Sequence, residues 1–116
     1  MKKTDDMPER IKTLLDNVPG IQCAFIYDSF AKDSKNHERE VDIIVLGGPD
    51  LVEMDEVILA AEQELGRPFL ITSFTVREFQ ERIRAKDETV LGALQGPKMM
   101  LLGSEQEMRR TLRAEA

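Results

Sequence analysis

The scarcities of this 116-residue chain narrow its roles before any motif is considered. It has one cysteine, Cys23, so neither an internal disulfide framework nor a cysteine-based metal cluster can form. Cys23 lies in the apolar run Ile21 to Tyr27 and reads as a buried, inert thiol; a catalytic thiol would want a histidine partner, and His37 is the only one. Basic residues are in deficit, 16 against 22 acidic ones, for a formal net charge of −6. A nucleic-acid or anionic-membrane surface needs a basic face, so direct DNA or RNA binding and membrane association are not expected. The apolar runs are far shorter than a membrane span. Met1-Lys2-Lys3 is followed by acids rather than an apolar stretch, so the expected location is cytoplasmic. Repeats and low-complexity tracts are absent, and Gly47-Gly48 is not part of a Gly-x-Gly-x-x-Gly fingerprint.

What is present fits one domain spanning residues 1–116, with 41% hydrophobic residues to build a modest core. Apolar residues recur at helical spacing from Asp5 to Asn17, and Val18-Pro19-Gly20 ends that helix. Ile21 to Tyr27 reads as a strand covered on both faces. Asp28 to Arg39 is polar, with room for a short helix at Ser29 to Lys32. Val41 to Leu46 is β-branched and stops at Gly47-Gly48-Pro49, the signature of a strand. Leu51, Met54, Ile58, Ala61 and Leu65 mark one face of a helix closed by Gly66, whose acids form a solvated face. A strand is predicted from Pro68 to Phe74. A helix follows, opened by the capping box Thr75 to Glu78, with Val76, Phe79 and Ile83 along it. A short helix near Thr89 to Leu94, a strand from Lys98 to Leu102 and a last helix capped by Ser104 and Glu107 complete the order. At least one of Met99 and Met100 should be a core residue. Strands alternating with helices predict an α/β (α+β) domain: a mixed sheet of about four strands flanked by helices.

Chemistry concentrates between Phe25 and Gly48. Glu40 and Asp42 are two apart at the start of a strand, so both carboxylates project to one side, roughly 7 Å apart at Cα. Such a pair suits Mg²⁺, a hard cation that takes oxygen ligands and keeps waters and substrate phosphates. The other reading is a solvated strand edge. Against it, Asp42 precedes four apolar residues, where a charge is costly unless paired or bound to a cation. Ser29 follows the preceding strand, in a turn where a hydroxyl can donate to a phosphate or merely cap a helix. Lys32 is either a phosphate contact or a surface lysine, and His37 lies in a polar loop.

These residues resemble the minimal nucleotidyltransferases of the DNA polymerase β superfamily. That signature is an apolar strand, Gly-Ser, a short helix often reading Ala-Arg-Gly, then Asp-x-Asp in a second apolar strand. Here Asp28-Ser29 stands for Gly-Ser, Ala31-Lys32-Asp33 for Ala-Arg-Gly, and Glu40-Val41-Asp42 for Asp-x-Asp. Gly66-Arg67-Pro68, Thr75 to Phe79 and Leu94 to Gly103 are similar to the versions of this domain fused behind winged-helix modules in transcriptional regulators. The likeness runs from about Ile21 to Glu107.

The resemblance implies transfer of a nucleoside monophosphate from an NTP, such as ATP, to a protein or small-molecule hydroxyl with Mg²⁺. Glu40 and Asp42 would be the catalytic metal ligands, and Ser29, Asp28 and Lys32 would face the nucleotide. The departures imply weakened or lost activity. Asp28 and Asp33 put negative charge where the family has glycine beside the triphosphate, and Glu40 lengthens one metal-binding arm. Active members carry a third carboxylate on a later strand, and Pro68 to Thr72 has no acid. The alternative is a catalytically inactive, ligand-sensing or partner-binding domain, of regulatory or toxin–antitoxin type. A small helical protein partner of the kind found in such modules is also implied.

Overall fold

The computed structural model describes the backbone of residues 3–27 and 41–114 and the side chains of residues 7–27 and 41–113. Asp28, Ser29, Lys32, Asp33, His37 and Glu40, with the short helix expected at 29–32, lie outside the described residues. The order is α1 (Lys3–Asp16), β1 (Ile21–Tyr27), β2 (Val41–Gly47), α2 (Leu51–Leu65), β3 (Phe69–Phe74), α3 (Val76–Arg84), α4 (Glu88–Gln95), β4 (Lys98–Leu102) and α5 (Glu105–Ala114).

The four strands form one mixed sheet in the order β3-β2-β1-β4. β1 is antiparallel to both β2 and β4, and β2 is parallel to β3. The parallel pair is joined through α2, as a parallel connection requires a crossover. Alternation along β2 sends Val41, Ile43 and Val45 to one face and Ile44 and Leu46 to the other. The first set packs with Ile11 and Leu15 of α1 and Met54 and Ala61 of α2. The second set packs with Phe79 of α3, Val90 and Ala93 of α4, and Met108 of α5. The result is helices on both faces of a sheet whose central strands feed two cores. No helix among the described residues is long and apolar enough to cross a membrane.

Local signals set the boundaries. Asp50 caps α2 by accepting from Val52 N at 2.9 Å, and Gly66 closes it in the left-handed conformation at φ +71°. Thr75 and Glu78 form the reciprocal capping box of α3. Ser104 Oγ accepts from Glu107 N at 3.1 Å at the start of α5. Cys23 is buried, and Met100 packs into the second core while Met99 is half exposed. One core assignment differs: Leu51 is 59% exposed. Counting 100° per residue, it falls about 60° from Met54 and about 80° from Ala61, on the shoulder of the buried stripe.

Candidate functional site

Asp42 is the second residue of β2 and is 6% exposed. Its neighbours Val41 and Ile43 face α1 and α2, so Asp42 lies on the opposite face, with Ile44 and Leu46. The sheet register fixes who stands beside it. In parallel pairing Asp42 lies opposite Leu70 of β3. On the other side, one step beyond the pair Ile26–Ile43 brings Tyr27, the last residue of β1, opposite Asp42. Tyr27 in turn pairs with Lys98, the first residue of β4. Leu70, Asp42, Tyr27 and Lys98 thus form a row across one end of one face, at successive spacings of about 4.8 Å.

Each member of the row has a distinct environment. Tyr27 is buried, and its hydroxyl is pushed above the usual phenol value by burial and then by the Asp42 charge. Leu70 is half exposed. The Lys98 side chain is 4% exposed and its ammonium donates to Leu94 O at 2.7 Å, Gly96 O at 3.1 Å and Glu105 Oε2 at 3.3 Å. Its charge is thereby committed to the end of α4 and the start of α5. A groove of about 260 Å³ opens beside Tyr27 and Lys98, walled also by Ile26, Pro97 and Met99. That is below the ~300–1,000 Å³ usual for a ligand pocket, too small to enclose a whole nucleotide.

Of the five residues singled out from the sequence, the described structure places Asp42. Its carboxylate is a hard oxygen donor suited to Mg²⁺, and the chain leaves β1 toward Asp28 and Ser29 at the same end of the sheet. The described residues contain no cluster of three His, Cys, Asp or Glu able to hold a metal. Sequence reasoning passed over Tyr27 and Lys98. The signal for both was positional: each is a polar-headed side chain at the end of an apolar strand, next to a turn.

No protein-family model and no curated protein matches the chain. Solved structures do. The chain is similar to a chain of the toxin–antitoxin complex of MntA with HepT in a substituted form, with TM-score 0.58, 16% identity, and coverage of 98% of this chain and 83% of that one. It is also similar to a chain of the tri-AMPylated HEPN toxin–MNT antitoxin complex of Shewanella oneidensis (TM-score 0.57, 16% identity, 97% and 82% covered). A third is a toxin–antitoxin structure with AMP-PNP (TM-score 0.57, 17% identity, 94% and 82% covered). The four-stranded mixed sheet flanked by helices is the nucleotidyltransferase-like fold of these neighbours.

Proposed function

We propose that the chain is a nucleotidyltransferase of the antitoxin type, which takes an NTP and transfers its nucleoside monophosphate to a hydroxyl on a partner protein. The observation that carries this reading is the position of Asp42. It is a nearly buried carboxylate at the start of β2, at the end of the sheet where β1 delivers the chain to Ser29. The fold likeness supports it, as do neighbours that include an AMPylated toxin with its antitoxin and a complex with AMP-PNP.

In this reading Glu40 and Asp42 hold Mg²⁺, which supplies charge neutralisation of the phosphates when bound. Ser29 and the backbone N–H groups after it orient the terminal phosphates. The acceptor oxygen forms a bond to the α-phosphorus, the bond to the β-phosphate oxygen breaks, pyrophosphate leaves and the hydroxyl proton passes to solvent. Tyr27, itself buried, shields one flank of Asp42 from water. Incubation with α-labelled ATP, Mg²⁺ and candidate partner proteins should label the partner, and Asp42→Ala should abolish both labelling and metal-dependent NTP binding. Calorimetry showing no NTP binding at millimolar concentration with Mg²⁺ would remove the proposal.

Leu70 favours a second reading. It occupies the position on β3 beside Asp42 from which a further carboxylate could reach the same centre. With an apolar residue there, the domain fits a non-catalytic nucleotide sensor or partner-binding module. Asp28→Gly should then tighten nucleotide binding without producing transfer, whereas transfer by the unaltered chain excludes this second reading.

A further inference from the structure

The net negative charge of the chain comes from one stretch. Residues 41–66 contain seven acids and no Lys, Arg or His, leaving 15 acids against 16 basic residues elsewhere. β2 is buried throughout, so apart from the Asp50 cap this charge reaches solvent through α2. Two of the acids of α2 are engaged: Glu64 pairs with Arg10, and Glu62 accepts from Phe69 N at 2.8 Å. Among the described residues, Glu53, Asp55 and Glu56 form no ion pair.

The outer side of α2 is also apolar where it should not be. Met54 and Ala61 point to the sheet, and opposite them Val52 and Leu59 are 69% and 55% exposed. They are seven residues apart on one stripe, about 10 Å along the axis, with Asp55 and Glu56 between them. Leu51, 59% exposed, lies on the flank. Acids in a first helical turn favour the helix dipole, which accounts for Glu53 but not for Asp55 or Glu56 in the second turn. A lone exposed Leu means nothing. Two in register inside a field of one sign are a different matter.

We propose that the outer face of α2 docks a protein partner through a basic amphipathic helix, with apolar residues seated between Val52 and Leu59 and Lys or Arg flanking them over Asp55 and Glu56. Charge selects this occupant. A second copy using the same face in a two-fold dimer would set acids against acids. Nucleic acid and anionic lipid are repelled for the same reason. The seven-residue spacing of the apolar pair is one heptad, which lets both face a single partner helix laid along α2. α2 covers the sheet face opposite Asp42, so this docking is independent of the nucleotide chemistry, and either can fail alone.

The probe is an idealised Leu/Lys amphipathic helical peptide titrated into the isotope-labelled full chain. Amide shifts should concentrate on residues 51–60, and raising salt from about 50 to about 300 mM should weaken binding several-fold. Val52→Asp combined with Leu59→Asp should weaken it at least tenfold, while Asp55→Lys with Glu56→Lys should abolish it and admit a Leu/Glu peptide instead. All four positions are solvent-facing, and circular dichroism checks that each variant folds. Shifts centred elsewhere, or unchanged affinity in the Val52/Leu59 variant, would overturn the proposal. So would a free chain that sediments as a dimer and becomes monomeric on Leu59→Asp, which would give the face to a second copy.

Discussion

At the start of β4, a lysine ammonium that is 4% exposed donates to two carbonyls and a carboxylate, joining α4, β4 and α5. Lys98→Met should remove the side-chain donor to Gly96 O and leave Leu94 O with only the longer bond from Arg109 Nη2 at 3.3 Å, and a loss of about 2–4 kcal/mol in urea denaturation is expected. Its partner Glu105 is held below the usual carboxylate range, chiefly by the hydrogen bond from Arg109 and then by Lys98. A depressed carboxylate contributes stability above its unfolded pKa and loses it as pH falls through the folded value. Cys23 runs the other way. Burial, with a smaller push from Glu107, raises its thiol to about 11 from 9.0. A raised thiol contributes stability below about 9 and loses it as pH climbs toward 11. The chain should therefore resist Ellman's reagent at pH 8 while folded and react fully in denaturant; rapid reaction of the native chain would contradict the burial. At this scale the burial of Cys23 and of Asp42 was readable, since one apolar run holds the thiol and another follows the acid. Tyr27 and Lys98 were not readable as a row, because cross-strand register decides which residues share a face.

Elements were legible where a side chain announces its own boundary. Thr75 and Glu78 are three apart and close the box the spacing predicts, with Thr75 N donating to Glu78 Oε1 at 2.9 Å and Glu78 N to Thr75 Oγ1 at 3.0 Å. Thr75→Ala should cost about 1 kcal/mol, measured as a lower urea midpoint with an unchanged slope. The β1–β2 end is set by glycine. Gly47 sits at φ +137°, and a Cβ there would strike the Gly20 carbonyl oxygen. Direction was less legible than existence. Alternating strands and helices allow parallel or mixed pairing, and β1 to β2 turns out antiparallel while β2 to β3, with α2 between, is parallel. Periodicity reports which side of an element is apolar, whereas pairing direction depends on which end of the sheet the chain re-enters. The candidate site inherits the same limit: spacing suggested the Glu40 and Asp42 pair, and only the register set Leu70 and Tyr27 on either side of Asp42.

At the scale of the molecule, the two cores are not separate stability units, because β1 and β2 supply both. Ala24, Val41, Ile43 and Val45 face α1 and α2, while Cys23, Phe25, Ile44 and Leu46 face α3, α4 and α5. Removing either helical layer would expose one whole face of the same two strands, so partial unfolding forfeits apolar burial without releasing the backbone of the sheet. Unfolding should therefore be a single cooperative transition. Tyr27, the one tyrosine in a chain without tryptophan, reports from the α3–α5 side, and far-ultraviolet circular dichroism reports on all helices. Ile43 is fully buried on the opposite side, and Ile43→Ala should cost about 2–4 kcal/mol. Both probes should shift by the same amount in that variant, though Tyr27 lies on the unaltered face. A tyrosine transition that stays in place while the circular dichroism midpoint falls would mean that the two layers melt independently and that the shared strands do not couple them.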